Sequence, residues 1–381
     1  MISISFDIFD AMISFWEQRS FFNYDFIIVG AGITGLSTAA TIKERDPSSS
    51  VLVLERGLLP TGASTKNAGF ACFGSLTELL ADIDVMGEEA MMALVEKRIN
   101  GLRKTEARLG KELIDLQIKG GYELINAIDD LEDKMVHVNH LLSDSFENPV
   151  FQRIDHQLSN FGFSGFDGLI LNQYEGQLDT GKLIRNLWEY CNQIDVKILT
   201  GAEVIAVNEE EGGVRVNTAK ASFQCKRAGI CTNAFTRKFM DVDLQPGRGM
   251  VMAIEPRNPL PFEGIFHYDE GYYYFRDFYG KLIFGGGRNL DKKAEETTEF
   301  GINPAIESRL HDDLRDRILP GQDYEVIQQW SGIMAFGDTK TPIVKKMSDR
   351  IAIGVRLGGM GVAIGSMVGE ELAELLIESF V

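Results

Sequence analysis

Cysteine is scarce in this chain. Four residues, Cys72, Cys191, Cys225 and Cys231, are scattered over 381, and none forms a C-x-x-C pair. That excludes a disulfide scaffold and reads as reduced, mostly buried thiols in a cytoplasmic protein. Histidine is equally thin, five residues with no ligand-like clustering. His137 and His140 can share a helix face just after the acidic run 129–133, a pattern of a solvated helix, so no metal is expected. Positive charge is lacking too: 38 Lys and Arg face 56 Asp and Glu, a formal net charge of −18. With no basic stripe to reverse that balance, nucleic acid is excluded as a partner. Nor is there a long hydrophobic run. The first 23 residues are rich in apolar side chains, but Asp7, Asp10 and Glu17 interrupt them and no basic segment leads them. Neither a signal peptide nor a membrane span fits, and an arm packed over the protein's own surface is expected instead.

What is present starts at residues 25–35. Four apolar residues, Phe26-Ile27-Ile28-Val29, suit a strand buried on both faces. G-x-G-x-x-G follows at Gly30, Gly32 and Gly35, and then a helical stretch over 36–45. Gly30 permits the tight turn, Gly32 leaves room for a pyrophosphate, and Gly35 allows close helix–sheet packing. Ile33 and Thr34 stand at the helix N-terminus, where free N–H groups and the dipole favour phosphate. A second apolar strand, 51–54, ends in Glu55, placed as the ribose-hydroxyl acceptor and followed by Arg56. The length suggests two domains, or one with an insert.

Beyond this unit lies a loop of small residues, Gly62-Ala63-Ser64-Thr65-Lys66-Asn67-Ala68-Gly69. Apolar residues recur at helical spacing over 87–119 and again over 124–142. Asp179 or Thr180 can cap a helix whose buried face is Leu183, Leu187 and Tyr190. Residues 197–199, 203–207 and 213–217 alternate as strands. Tyr272, Tyr274 and Arg276 fall two apart and share one strand face. Asn303-Pro304 starts a helix carrying Ile306, Leu310, Leu314 and Ile318. Near the end, Leu357-Gly358-Gly359-Met360-Gly361-Val362-Ala363 opens a last helix.

The fingerprint, the acid and the G-A-S-T-K-N-A-G loop together resemble the FAD-dependent oxidoreductases of the D-amino-acid oxidase and glycine oxidase superfamily. The resemblance runs over nearly the whole chain. It implies an α/β architecture: a Rossmann-like FAD-binding domain (1–80, 165–245 and 325–381) with an interleaved α+β substrate domain (81–164 and 246–324) built on an antiparallel sheet. It implies that Gly62, Ala63, Ser64, Asn67, Ala68 and Gly69 run along the cofactor. Val204 would contact the adenine through its backbone. Thr232 and Asn233 stand in the family's strand-and-turn near the cofactor, with Asn233 replacing a glycine; Asn tolerates the left-handed conformation. Pro246-Gly247-Arg248-Gly249 resembles the P-x-R-G motif. Gly332, in Trp330-Ser331-Gly332-Ile333-Met334, matches the W-x-G segment. The turn Gly358, Gly359, Met360, Gly361 and Val362 would aim a helix N-terminus at the flavin.

The resemblance further implies oxidation of a C–N bond by hydride transfer to the flavin. The partners would be a small amine or amino-acid-like substrate and oxygen or another electron acceptor. Tyr272, Tyr274, Arg276 and Met334 would face the substrate. FAD is expected to be non-covalent, since no cysteine lies in 330–342, where covalent relatives attach theirs. Met334 replaces the arginine with which amino-acid-oxidising members grip a carboxylate, which points to the amine-oxidising branch, similar to the γ-glutamylputrescine oxidases. Arg276 or Arg288 can take over that grip. Two alternatives stand: a flavin dehydrogenase of hydroxy acids, for which His267 is the candidate base, and a non-enzymatic flavin-binding protein.

Overall fold

The strand Asn23–Val29 has apolar residues on both faces because it is covered on both. It pairs in parallel with Val51–Leu54 on one side and Ser222–Ile230 on the other, so Ile28 lies between Val53 and Gly229. The computed structural model describes residues 13–126 and 131–378. In it, the sheet around this strand runs Ile343–Lys346, Ile351–Val355, Ser222–Ile230, Asn23–Val29, Val51–Leu54, Val196–Leu199, and is extended by the antiparallel pair Gly213–Thr218 and Val204–Glu210. A second eight-stranded sheet runs Tyr324–Phe336, Gln245–Pro256, Lys281–Gly286, Tyr273–Phe278, Ile265–Tyr268, Gly121–Ile125, Gly168–Asn172, Phe151–Arg153. Every pair in it is antiparallel except Ile265–Tyr268 with Gly121–Ile125. The α/β architecture expected from the sequence is therefore present: a mixed, mainly parallel sheet beside a largely antiparallel one. Two of the second sheet's strands, Gly168–Asn172 and Tyr324–Phe336, come from the stretches 165–245 and 325–381.

Capping follows the local chemistry. The Asp179 side chain accepts the Lys182 N–H at the start of Thr180–Gln193. Asn303 caps Pro304–Asp313, whose first turn holds the proline. Two expectations fail, one for a tertiary reason and one for a local one. Leu124 and Ile125 do not begin a helix; they finish a strand, with Leu124 paired to Tyr268, and the helix itself is Leu131–Leu141. Long-range pairing overrides the helical period there. The 87–119 stretch is not one helix: Glu88–Leu109 stops at Gly110, whose φ of 80° breaks it. Part of the acidic run, residues 129 and 130, lies outside the described residues, as do residues 1–12 of the N-terminal arm.

The described part of that arm corrects the expectation of a packed segment. The helix Phe15–Phe21 is closed by a Ser14–Glu17 capping box, yet buries none of its residues. Phe15, Trp16 and Phe21 are 66%, 72% and 62% exposed. Among the described residues no helix is long and apolar enough to cross a membrane.

The last helix, Gly361–Ile377, is held on two sides by glycines. A Cβ on Gly369 would lie 2.8 Å from the Thr34 carbonyl oxygen of the fingerprint helix Ile33–Arg45, and one on Gly101 would lie 1.9 Å from the Ala363 oxygen. Ser366 Oγ donates to the Gly101 carbonyl at 2.6 Å. Such close backbone approach fixes the start of the last helix relative to the start of the first, and so positions the site.

Candidate active site

The strand–turn–helix at 26–45 builds one end of a cavity of about 650 Å³. Gly30 has φ of +103°, and Gly35 packs so tightly that a Cβ would sit 1.9 Å from the Gly30 oxygen. Gly32 is the helix N-cap and supplies no side chain. The Ile33 N–H donates to Ser64 Oγ at 3.0 Å, and the buried Thr34 hydroxyl has no partner among the described residues. Glu55 is 6% exposed; its two oxygens accept the Ala31 and Gly57 N–H groups, both at 3.0 Å, while it faces the cavity. The guanidinium of Arg56 stacks 3.8 Å from the Phe235 ring centroid. A side-chain-free turn, an unmet hydroxyl at a helix N-terminus and a buried carboxylate with lone pairs to spare fit a dinucleotide.

The 62–69 loop is pinned from several directions. Asn67 Nδ2 donates to the Ala63 and Ser64 carbonyls, and its Oδ1 accepts from Gly69 N–H and Thr180 Oγ1, both at 2.8 Å. Trp330 Nε1 donates to the Lys66 carbonyl at 3.0 Å. Thus Asn67 shapes the loop as well as lining the cavity.

The far wall is one face of the second sheet. Gly249 pairs with Gly332, and Val251, Gly285, Tyr274, His267 and Glu123 follow one another across neighbouring strands. Glycines hollow this face, and Tyr274 and His267 stand at its edge. Both rings meet the Phe70 ring edge-on, at 5.7 and 5.1 Å. Tyr272, Tyr274 and Met334 line the cavity. Burial pushes the Tyr274 phenol up to about 12, so it is a neutral donor. His267 is 6% exposed, its Nε2 has no partner among the described residues, and burial holds its pKa below the ordinary value despite nearby Glu78.

Of the residues singled out from sequence, all line this cavity except Gly35, Gly69 and Arg276. Gly35 serves packing. Arg276 is the substantive correction. It shares the strand face of Tyr274 in Tyr273–Phe278, whereas Tyr272 lies in the turn before that strand, and two residues on from Tyr274 it has passed beyond the cavity. It is 3% exposed, and its Nη1 donates to the Gly69 and Leu178 carbonyls, each at 2.8 Å. Burial lowers its pKa to about 10. It bolts the 62–69 loop to the sheet and does not line the cavity. Asn233, by contrast, adopts φ of +48°, and its Oδ1 accepts the Arg356 N–H at 3.0 Å.

Sequence reasoning missed a group of buried acids beside the cavity. Glu175 accepts the Phe73 and Gly74 N–H groups, yet burial raises it to about 8. Glu123, bonded by Ser75 and Thr77, is raised by burial to about 7. Burial also pushes on Glu78, but Lys340, His267, Arg98 and the Ser75 amide outweigh it and hold Glu78 low. The three acids come from three separated segments, so no local pattern marks them. Among the described residues no cluster of His, Cys, Asp and Glu could hold a metal ion.

The chain is similar to known proteins over most of its length. A chain from Haemophilus influenzae, "Probable oxidoreductase OrdL", is 21% identical over 369 residues, covering 93% of this chain and 83% of that one. Glycine oxidase from Geobacillus kaustophilus superposes with a TM-score of 0.73 at 18% identity, over 94% of this chain and 95% of that one. L-Proline dehydrogenase from P. horikoshii does so with a TM-score of 0.76 at 16% identity, over 93% and 94%. The DAO family model, described as FAD dependent oxidoreductase, matches residues 25–375, and the chain belongs to that family.

Proposed function

We propose that this enzyme oxidises a C–N bond of a small amine or amino-acid-like substrate, with FAD held non-covalently. What carries the reading is the continuity of one cavity from the Gly32–Glu55 cradle to the wall of Tyr272, Tyr274 and Met334. Gly30, Gly32, Ile33, Thr34 and Glu55 would hold the dinucleotide, with Arg56 and Val204 toward the adenine and the 62–69 loop along its length. Thr232, Asn233, Gly332 and the 358–362 turn would complete the pocket. The FAD domain would comprise 1–80, 165–245 and 325–381, and the substrate domain 81–164 and 246–324. Bound FAD supplies an acceptor for a hydride. The start of Gly361–Ile377 offers N–H groups and a positive dipole end where negative charge develops. Tyr272, Tyr274 and Phe70 orient the substrate and exclude water. An amine that enters neutral needs little further acid–base help. Cys72 and Cys231 line the cavity, but burial raises both thiols, Cys231 to about 12, so neither is a ready nucleophile for a covalent flavin link.

The hydroxy-acid reading has one observation of its own: His267, neutral and unpartnered at Nε2, could take an alcohol proton. Anaerobic flavin bleaching against amines, amino acids and hydroxy acids separates the two. Amines or amino acids should bleach it fastest, and a clear preference for hydroxy acids would overturn the proposal. Within the amine class, glycine, D-alanine and sarcosine should react more slowly than amines whose charged groups lie several bonds from the reacting carbon, because Met334 cannot pair with a carboxylate. Met334→Arg should narrow that gap.

A further inference from the structure

The cations lining the cavity divide by partner. Lys340 pairs with Asp82 at 2.9 Å, Lys238 with Glu203 at 3.2 Å, and Arg56 stacks on Phe235. Lys66 belongs to the cofactor loop, its ammonium 5.3 Å from the Phe300 ring centroid. Arg288 and Lys292 also line the cavity, and among the described residues neither side chain makes a hydrogen bond or an ion pair. Each rests instead on an aromatic ring. Arg288 Cζ is 4.0 Å from the Phe336 centroid, and Lys292 Nζ is 5.1 Å from that of Tyr272. Glu295 acts on Arg288 from a distance, but that carboxylate is held by Arg248 through two bonds of 2.8 Å and by Asn303 at 3.0 Å. Burial lowers the Arg288 pKa, the mark of a charge without adequate compensation.

The two cations occupy different depths. Arg288 opens the turn Arg288–Asp291 and is half-buried beside Phe336, while Lys292 opens Lys292–Glu295 and is exposed. Four residues of such backbone advance roughly 6–8 Å. That is a reach suited to the two ends of a short dicarboxylate. Among the described residues the Tyr272 and Tyr274 hydroxyls also lack hydrogen-bond partners; both line the cavity, and Tyr274, raised by burial to about 12, stands nearby as a neutral donor. In a chain of net charge −18, an unpaired cationic wall is a local reversal that draws anions into the cavity.

We infer that Arg288 and Lys292 form a two-point anion subsite, and that the substrate is an amine or amino acid carrying two carboxylates, one seated on Arg288 and the other at the mouth on Lys292. The substrate class rests on the C–N reading above; the subsite itself does not. The test uses the FAD-loaded protein and inert ligands, glutarate and butyrate, followed by the flavin difference spectrum. Glutarate should bind about tenfold or more tighter than butyrate. Lys292→Met, an exposed and structurally mild change, should erase most of that preference while leaving butyrate within about twofold. Arg288→Met should weaken both ligands about tenfold. Equal binding of the two acids, binding of neither, or a preference that survives Lys292→Met would overturn the subsite. If the preference holds but no amine or amino diacid bleaches the flavin, the C–N reading fails alone. If amino acids bleach it and the preference is absent, the subsite fails alone.

Discussion

Gly32→Val should separate cofactor binding from folding. A Cβ at Gly32 would meet only Ser64, at 2.8 Å from Oγ and 3.7 Å from Cβ. The Ser64 hydroxyl accepts the Ile33 N–H. Displacing it costs about 1 kcal/mol, and a β-branched residue at an N-cap adds about as much again. A loss of about 2 kcal/mol is tolerable against a stability of about 5–15 kcal/mol. The valine methyls, however, project where a pyrophosphate must approach. In wild type, FAD at about 100 times its Kd adds about 2.7 kcal/mol. With an unfolding entropy of about 0.8 kcal/mol/K for 381 residues, that raises Tm by about 3 °C. Thermal melts with and without added FAD read both effects. The variant should fold, melt a few degrees lower, and gain nothing from FAD. A variant that keeps the full FAD-dependent shift would refute the cradle. Gly35→Ala is the contrast. Its Cβ would lie 1.9 Å from a backbone oxygen, so it should lose the fold itself.

Three further outcomes are expected. Acid precipitation should release the yellow FAD into the supernatant; colour retained in the pellet would contradict non-covalent binding. Arg276→Met should lower stability by about 3 kcal/mol, because two buried carbonyls lose a charged donor, and urea unfolding reads this directly; an unchanged midpoint would remove its structural role. Burial raises Glu175 from the ordinary carboxylate value of about 4.5 to about 8, so the folded chain keeps a proton that the unfolded chain releases. Its contribution to stability is therefore lost as pH rises from about 4.5 to about 8 and is level beyond. Glu175→Gln should flatten that slope in unfolding measured at several pH values, and an unaltered slope would mean another group causes it.

The parts of this molecule that could be read from sequence are those decided within a few residues. The buried strand before Gly30, the cap at Asp179, the proline start at 304 and the left-handed turn at Asn233 each follow from local rules, and each is found. What could not be read depends on partners far away. Strand alternation correctly put Arg276 on the face of Tyr274, but Tyr272 lies in the turn before the strand, and nothing local says where a cavity ends. Leu124 looked helical until Tyr268, over a hundred residues on, supplied its strand partner. Gly101 and Gly369 carried no motif, since their meaning lies in the helix that each one touches. His267 was visible as a lone histidine; its unmet Nε2 was not.

The interleaving of the first sheet has a consequence for the chain as it is made. Asn23–Val29 can pair with Val51–Leu54 early, but its other neighbour, Ser222–Ile230, follows roughly 190 residues later. At ribosomal speeds of about 5–20 residues per second, an apolar strand edge waits about 10–40 s. The helix that clamps the fingerprint, Gly361–Ile377, emerges more than 130 residues after that strand. The nascent chain thus holds an apolar strand edge open until Ser222–Ile230 is made, and the fingerprint helix waits longer still for its clamp, an interval in which the unfinished sheet is exposed to aggregation and proteolysis.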